Sequence, residues 1–411
     1  MRSEIIAVGS ELLSFGRNET NSLLLASRLI ALGFSVPRKF VAADSEVEIS
    51  ECLALALSRS QVVLLTGGLG PTNDDVTRES VARFLGRRLI EDPEIVAALE
   101  RRFRRFHFRL SENNRRQAQV PEGATVLPNP HGTAPGLCLE HSGALICLLP
   151  GPPRELTPML DEHVVPLIRR RFATRPTLYR QLKVAGEAES RVDSRIEKIY
   201  RAFPEVDTTI LSSPGIISLY FTWHGEGDRE EAVRTLDELV GKVERELGES
   251  VYSHAEESLS EAVGRELRGR SLTLAAAESC TGGMLGELIT DVPGSSDYFL
   301  GSMVCYSNLA KQRILGVDPG LIERLGAVSG EVAEQMAAGA RRAVDASMAV
   351  STTGIAGPGG GSEEKPVGTV YLGFSSLERT ESKRLFLPGS REAVRIRTCN
   401  LALDWIRREI A

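Results

Sequence analysis

The sequence predicts an α/β protein: two α/β domains with open, mostly parallel sheets, joined by a small α+β (KH-like) module. Apolar, strand-like runs alternate with amphipathic helical segments in both halves of the chain, which is typical of parallel sheets covered by helices. Glycine-rich loops follow several of these runs, at the edge where open α/β sheets bind ligands. The 411 residues are also long for a single core. We expect domains at 1–170, 176–253 and 257–411.

The bulk composition favours a soluble, cytoplasmic protein. Apolar residues make up 42% and charged residues 25%, and no apolar run reaches the roughly 20 residues that span a bilayer. Glu4 and Glu11 interrupt the first apolar run, which argues against a secretory signal. The six cysteines are scattered without a CxxC pair, so neither a zinc site nor a disulfide framework is predicted. The net charge of -6 argues against a general nucleic-acid role.

The first domain opens with a β-α-β-α-β series. Helices with an apolar face separate the three strands, and a glycine ends the first helix as a C-cap. The predicted strands are Ile5–Val8, Ser35–Val41 and Gln61–Thr66, and the helices are Glu19–Leu32 and Glu46–Leu57.

The third strand runs into the loop TGGLGPTNDDVT, residues 66–77. Its glycines allow backbone N–H groups to approach a phosphate, and Asp74 and Asp75 supply oxygen ligands for a divalent metal ion, magnesium or similar. The alternative is a glycine-rich turn followed by acids that favour a helix N-terminus. The paired aspartates, with Thr72 and Thr77 beside them, favour phosphate and metal. The residues assigned to the phosphate are Gly67, Gly68, Gly70 and Thr72.

Two more Pro/Gly loops, NPHGTAPG (129–136) and LLPGPPRE (148–155), predict a cleft at this sheet edge. Between the glycine-rich loop and these two, the segment 100–116 interleaves arginine with phenylalanine, a pattern that suits nucleic acid. We favour the alternative of an amphipathic helix with its phenylalanines inward and its arginines solvated.

A linker is predicted at Arg169–Pro176, followed by the small module. Its order of strand, helix, two strands and a charged helix over Leu178–Val251 is similar to RNA-binding KH folds. No GxxG loop is present to clamp a nucleic-acid backbone, so a structural or dimerising role is predicted. We therefore expect a homodimer.

The last domain carries a candidate nucleophile in AESCTGG. A strand over Leu272–Ala277 would deliver Ser279 to a helix running from about Gly282 to Thr290, whose N-terminus favours developing negative charge. The alternative is a simple helix cap, because serine and threonine are common N-caps. Cys280 is an alternative nucleophile, since a thiol at a helix N-terminus ionises readily.

Histidine usage restricts the base that could activate Ser279. All six histidines precede residue 257, so a Ser-His-Asp triad within the last domain is excluded. A lysine in a partly apolar pocket can accept a serine proton, and Lys311 and Tyr306 are the candidates. The later loop TTGIAGPGGG, with Thr353 at its mouth, either holds a phosphate through backbone N–H groups or is a flexible turn.

These motifs together resemble the CinA family, the competence/damage-inducible protein A group, over nearly the whole chain. The first domain is similar to molybdopterin-binding-like domains in four motifs: GSELL, TGGLGPTNDDVT, NPHGTAPG and LPGPPRE. The last domain is similar to nicotinamide-nucleotide amidases in six motifs: AESCTGG, VPGSS, YSN followed by AK, GAVS, TTGIAGPGGG and PVGTVY. The resemblance implies metal-dependent ADP-ribose pyrophosphatase activity in the first domain. In the last, it implies conversion of nicotinamide mononucleotide to nicotinate mononucleotide and ammonia, without a cofactor.

The resemblance also implies residue roles. Ser279 would be the nucleophile, Tyr306 and Lys311 its activating partners, and Thr353 part of the pocket. An arginine at the start of the last helix would assist, and Arg391 and Arg395 both fit. The other residues expected to bind substrate are Thr281, Gly282, Gly354, Gly357, Asn129 and Thr133.

The first domain departs from its relatives at one position, because Ser10 stands where molybdopterin-type relatives commonly have the acid of GDELL. This argues against molybdopterin transfer. Two other readings place the chain in different classes: a pterin- or nucleotide-binding regulator, or an accessory of DNA uptake or repair that uses the arginines of 101–116. The acidic net charge and the absent GxxG loop count against the second.

Overall fold

The computed structural model describes residues 1–14, 18–105, 107–174 and 177–410. The chain forms two compact units, Met1–Thr177 and Leu178–Ala411. Phe106 of the predicted Arg/Phe segment, and Arg175 and Pro176 of the predicted linker, lie outside the described residues. The division into three domains stays a prediction, and its last two members both lie in the second unit.

The first unit is built on a sheet of order β2-β1-β3-β8-β7-β6. The four strands from β2 to β8 are parallel, and β7 and β6 continue the sheet antiparallel. A separate short pair is formed by β4 and β5. The strands are β1 (Arg2–Val8), β2 (Ser35–Ala42), β3 (Val62–Thr66), β4 (Leu89–Glu91), β5 (Gln119–Pro121), β6 (Thr125–Leu127), β7 (Gly136–His141) and β8 (Ala144–Leu149).

Helices cover both faces of this sheet, because β1, β3 and β8 are apolar on both sides. Within β3, Val63 and Leu65 enter one core cluster while Val62 and Leu64 enter the other. A π-helical segment, Leu160–Val164, joins the last two helices. The helices are α1 (Asn21–Ala31), α2 (Glu46–Leu57), α3 (Thr77–Phe84), α4 (Pro93–Arg105), α5 (Glu112–Arg115), α6 (Pro153–Met159) and α7 (Val165–Arg171).

The arginine-rich segment is largely the amphipathic helix that the sequence predicts. Phe103 packs against the core from α4, whose last turn carries Arg102, Arg104 and Arg105. Phe108 departs from the expectation, because the helix ends at Arg105 and the Phe108 side chain is 68% exposed.

The second unit begins with the predicted α+β module. Its order is β9 (Tyr179–Ala185), α8 (Glu189–Tyr200), β10 (Val206–Ser213), β11 (Ile216–Trp223), α9 (Arg229–Leu247) and β12 (Val251–Ser253). The sheet order is β10-β11-β9-β12 with every neighbouring pair antiparallel, which is the split β-α-β arrangement. Ala185 and Ile216 pack into the core of the following domain, so the two parts are joined by apolar contact.

The last domain has the sheet order β14-β13-β15-β16-β17. The pairs β14-β13 and β13-β15 are parallel, whereas β16 and β17 add an antiparallel hairpin, so this sheet is more mixed than expected. The strands are β13 (Leu274–Glu278), β14 (Phe299–Val304), β15 (Met348–Gly354), β16 (Thr369–Ser375) and β17 (Thr380–Phe386). The helices are α10 (Leu259–Gly269), α11 (Met284–Thr290), α12 (Asn308–Leu315), α13 (Pro319–Leu325), α14 (Gly330–Ala343) and α15 (Arg391–Ile410).

The α/β prediction is therefore confirmed for both large domains. The predicted helix after AESC begins two residues late, at Met284. None of the helices in the described ranges has the length and apolar character needed to cross a membrane.

Candidate active site and N-terminal cleft

Ser279 lies at the carboxyl edge of the last sheet, directly after β13. Its N–H donates to the carbonyl of Thr352 at 3.0 Å, at the end of the parallel neighbour β15. On the other side, Cys305 N–H donates to the Glu278 carbonyl at 2.8 Å, where β14 ends. Because the carboxyl ends of parallel strands meet at one edge, three loops converge on Ser279, which is 9% exposed.

Lys311 is the group that contacts the Ser279 hydroxyl. It lies on α12, which Ser307 caps by accepting a hydrogen bond from Ala310 N–H at 3.1 Å. The Lys311 side chain is 1% exposed, and its Nζ lies 2.9 Å from Ser279 Oγ. The same Nζ donates to the carbonyls of Cys305 at 2.9 Å and Tyr306 at 3.3 Å.

The environment of Lys311 favours its neutral amine. Burial away from water lowers the pKa of Lys311, and within the described ranges no carboxylate pairs with it. A neutral amine has two N–H donors and one lone pair. The carbonyls of Cys305 and Tyr306 accept the two donors, which leaves the lone pair for the Ser279 hydroxyl proton. Lys311 therefore has the position of a general base, and its lowered pKa favours the form that accepts a proton.

The Tyr306 hydroxyl is not brought to Ser279. The ring is 63% exposed, and the hydroxyl accepts a hydrogen bond from Arg391 at 3.3 Å. Arg391 also donates to the Gly357 carbonyl at 2.8 Å, which ties the start of α15 to the GIAGPGGG loop. In this arrangement the Tyr306 backbone, through its carbonyl, holds Lys311, while its side chain lies at the pocket mouth with Arg391. Among the described residues, no contact of the Tyr306 hydroxyl supports its expected role in activating Ser279.

The remaining predicted pocket residues divide into lining and supporting ones. Thr353 and Gly354 line the pocket, and Thr353 Oγ1 donates to the Ala327 carbonyl at 2.8 Å. Thr281 is buried behind the pocket, where its hydroxyl lies 2.7 Å from that of Thr352. Gly282 and Gly357 do not line the pocket. Gly357 contributes through its carbonyl, which accepts the hydrogen bond from Arg391.

Arg391 and Arg395, which the sequence could not separate, have different partners. Arg391 lines the pocket, whereas Arg395 donates twice to the Thr281 carbonyl, at 2.7 and 3.2 Å. Arg395 therefore fixes the loop after Ser279, and Arg391 is the arginine available at the rim.

Glu278 is a site residue that the sequence analysis missed. Its fully buried carboxylate accepts hydrogen bonds from the N–H groups of Gly283, Leu285 and Gly286 at 2.8–3.0 Å, and from the Ser302 hydroxyl at 2.7 Å. These are the orphan donors of the first turn of α11, so Glu278 is the anion that this N-terminus binds. These three N–H groups are therefore occupied and are not free to donate to charge that develops at Ser279.

Other backbone donors lie closer to the nucleophile. Apart from the Cys280 thiol itself, no acceptor among the described residues is hydrogen-bonded to the N–H of Cys280 or of Thr281. The Cys280 thiol is 7% exposed, and burial raises its pKa to about 11. It is protonated at neutral pH, which argues against Cys280 as the nucleophile.

These groups surround a small pocket of about 190 Å³. Ligand pockets are commonly about 300–1,000 Å³, so this one has room for a small chemical group only. The lining residues are Ser279, Cys280, Tyr306, Asn308, Lys311, Ala327, Val328, Thr353, Gly354, Ala356 and Arg391.

The first unit has a larger cleft, of about 970 Å³, at the carboxyl edge of its own sheet. Loop 66–77 lines it, but its glycines also have a packing role. A Cβ on Gly67, where φ is +100°, would lie 2.1 Å from the Val8 carbonyl oxygen. A Cβ on Gly68 would lie 2.2 Å from Thr77 Oγ1, which donates to the Gly67 carbonyl at 2.9 Å. The backbone of this loop is thus locked against β1 and α3.

Asp74 and Asp75 both line the cleft, with Thr72 beside them. The Asp75 carboxylate accepts from the Thr72 N–H at 2.8 Å and from the Thr72 hydroxyl at 2.6 Å. Among the described residues, no group of three or more His, Cys, Asp or Glu side chains could hold a metal ion. The donor set fits a magnesium ion shared with a substrate phosphate, which needs only one or two carboxylates.

Asn129 has a supporting position rather than a lining one. Its amide donates to the Ala134 carbonyl and the Glu155 carboxylate, both at 2.8 Å, and its oxygen accepts from the backbone of residues 131 and 132. Thr133, in the loop that Asn129 shapes, does line the cleft. Ser10, which replaces the acid of related loops, pairs reciprocally with Asp44: each backbone N–H donates to the other's side-chain oxygen, at 2.7 and 3.0 Å.

Comparisons with known proteins match both parts of the chain to family models. Residues 4–170 match the family model "Probable molybdopterin binding domain", and residues 256–410 match the CinA C-terminal domain. The chain is 42% identical over 414 residues to a CinA-like protein of Koribacter versatilis, covering 100% of both chains. It is 42% identical to a CinA-like protein of Solibacter usitatus, covering 100% of this chain and 98% of the relative.

Among solved structures, the competence/damage inducible protein CihA from Agrobacterium tumefaciens is 38% identical to this chain. The match covers 36% of this chain and 90% of that one, with a TM-score of 0.35. The full-length identity to the two CinA-like proteins decides the assignment: the chain belongs to the CinA family.

Proposed function

We propose that the last domain hydrolyses the carboxamide of nicotinamide mononucleotide to nicotinate mononucleotide and ammonia. The observation that carries this proposal is the 2.9 Å contact between the buried Lys311 amine and the Ser279 hydroxyl. A serine with a neutral lysine as its base is an established arrangement for acyl transfer. The resemblance to nicotinamide-nucleotide amidases supplies the substrate.

In the first half-reaction, Ser279 Oγ bonds to the carboxamide carbon while its proton passes to Lys311 Nζ. The N–H groups of Cys280 and Thr281 are the proposed donors to the oxyanion, since, apart from the Cys280 thiol itself, neither has another acceptor in the described part of the chain. When the C–N bond breaks, Lys311 returns the proton to the leaving nitrogen, which departs as ammonia.

In the second half-reaction, water attacks the resulting ester and gives its proton to Lys311. Lys311 then protonates Ser279 Oγ as the C–O bond breaks, which releases the acid and restores the enzyme. The pyridinium charge withdraws electrons from the carbonyl and so favours both attacks.

The pocket geometry supports a nucleotide bound head first. A volume of about 190 Å³ suits the ring and its amide, and Arg391 at the mouth is placed to meet a 5′-phosphate.

The test is ammonia release from nicotinamide mononucleotide, nicotinamide, its riboside and NAD. We expect turnover of the mononucleotide and its loss in Ser279→Ala. Full ammonia release by Ser279→Ala would show that this serine is not the nucleophile. Asp74→Ala, in the other unit, is the control that keeps the amidase.

We further propose that the first domain hydrolyses the pyrophosphate of ADP-ribose. A cleft of about 970 Å³ is large enough for such a ligand, and its glycine-rich loop and aspartate pair suit a phosphate with a divalent cation. Asp74 and Asp75 would hold the ion, which when bound polarises the pyrophosphate and lowers the pKa of a bound water. Asp74→Ala is expected to abolish ADP-ribose turnover, with Ser279→Ala as the reciprocal control.

We also propose that the protein works in the cytoplasm as a homodimer. The six cysteines, all among the described residues, are free thiols and five of them are buried, which suits a reducing compartment. Sedimentation of the purified full-length chain measures the oligomeric state, and a monomer at micromolar concentration would contradict the dimer.

A further inference from the structure

The N-terminal cleft is lined by carboxylates and, among its described lining residues, by no lysine, arginine or histidine. Residues 15–17 lie outside this description. Only one of the acids has an ion pair in the described ranges, Glu155 with Arg154 at 4.0 Å. A bare pyrophosphate would meet a surface lined by negative charge here, so recognition of an anionic ligand needs contacts beyond its phosphates. The acids are Glu11, Glu19, Asp44, Asp74, Asp75 and Glu155.

Gln117 provides a second feature of the cleft wall, on the short 3-10 segment Arg116–Ala118. The side chain lines the cleft and is 1% exposed. Its Nε2 donates weakly to the Leu69 carbonyl at 3.5 Å, and its Oε1 has no hydrogen-bond partner in the described part of the chain. A buried acceptor without a donor is rare in native proteins, and it points to a partner that the chain itself does not supply.

The contact with the Leu69 carbonyl favours one orientation of the Gln117 amide. Rotating the amide by half a turn would place Oε1 against the Leu69 carbonyl oxygen, so that two acceptors would face each other. Leu69 belongs to the same loop as Asp74 and Asp75. Gln117 and the acidic pair therefore line the same cleft.

We propose that Gln117 is a ligand-binding residue of this cleft, where Oε1 accepts a hydrogen bond from an N–H or O–H group of the ligand. The ligand class is a nucleoside diphosphate derivative, with its anionic end toward Asp74 and Asp75 and a donor on its sugar or base toward Gln117. This inference rests on the proposed function of the cleft and adds to it the group that distinguishes a nucleotide from inorganic pyrophosphate.

The test is calorimetric titration of the full-length chain, with magnesium present, using ADP-ribose, its inosine analogue and inorganic pyrophosphate. Gln117→Leu keeps the size and burial of the side chain but removes the acceptor. We expect it to weaken ADP-ribose binding about tenfold and to leave pyrophosphate binding unchanged. Gln181→Leu is the matched control, because Gln181 is also buried with an unpartnered Oε1 but lies on β9 of the other unit.

The outcomes separate the possibilities. If the inosine analogue no longer responds to Gln117→Leu, the base amino group is the donor; if it responds as ADP-ribose does, the donor is a sugar hydroxyl. Unchanged ADP-ribose binding, or an equal loss for pyrophosphate together with a lowered Tm, would show that Gln117 only supports the loop and would overturn the proposal. Binding without hydrolysis in the wild type would refute the pyrophosphatase but not this inference, whereas no binding at all would refute both.

Discussion

Replacing Lys311 by methionine tests the base most directly. Methionine keeps an unbranched chain in the buried site but has no amine at 2.9 Å from Ser279 Oγ. Without a base, the serine must lose its proton to water, and removing a general base typically costs about 10²–10⁴ in rate. That range corresponds to about 3–5 kcal/mol of activation free energy. We expect kcat for ammonia release to fall by this factor.

The pH profile adds a second measurement. Because the deprotonated amine is the active form, kcat/KM of the wild type should rise with pH and reach a plateau. Burial lowers the pKa of Lys311, so the midpoint of this rise should lie below 10.5, the ordinary value. This rising limb should be absent from the residual activity of Lys311→Met.

Lys383→Met is the matched control. Burial also lowers the pKa of Lys383, but this amine lies over the Trp405 ring, 4.0 Å from its centroid, and not in the pocket. It should retain wild-type turnover. The reasoning is refuted if Lys311→Met keeps more than about a tenth of the wild-type kcat, or if its pH profile matches that of the wild type.

Three further variants test the neighbouring groups. Cys280→Ala should release ammonia at nearly the wild-type rate. Iodoacetamide at pH 7 should not inactivate the wild-type enzyme, because a thiol with a pKa of about 11 is almost wholly protonated. Rapid inactivation of the wild type, prevented in Cys280→Ala, would contradict this expectation. Glu278→Ala leaves the first turn of α11 without its acceptor, so it should lower the free energy of unfolding, measured in urea, by about 2–4 kcal/mol. Glu287→Ala is the control, because Glu287 is exposed on the same helix and its loss should change this free energy little. Equal effects of the two variants would refute the capping role. Arg391→Met should raise KM for the mononucleotide about tenfold or more, but not KM for the riboside, which has no phosphate. Arg397→Met is the control, because Arg397 is on the same helix but does not line the pocket. An equal rise in KM for both substrates would argue against a phosphate contact.

Much of the catalytic pair follows from the sequence. Ser279 and Lys311 both come after strands predicted to be neighbours, and parallel strands end at one edge, so proximity follows from topology. The lack of histidine after residue 254 left a lysine as the leading base. These arguments need only the order of the elements and the inventory of side chains.

Other features depend on geometry that periodicity does not contain. Arg391 and Arg395 are four residues apart, hence on one face of α15, and only the partners they meet distinguish them. The direction of the Tyr306 side chain depends on how the chain turns after β14. Glu278 reads as the last residue of a buried strand, and its capping role arises because Gly282 and Gly283, both at positive φ, reverse the chain above it.

The contact of Arg395 with the Thr281 carbonyl joins residues 114 positions apart. The nucleophile loop is therefore held by a helix that leaves the ribosome long after the loop itself. Ser279 and Lys311 are synthesised early in the domain, but the arginines of α15 can reach them only when the sheet is complete and the last helix docks. Such non-local closure is slow compared with local helix formation. A nascent chain would thus remain without a finished pocket until almost the whole domain has been made.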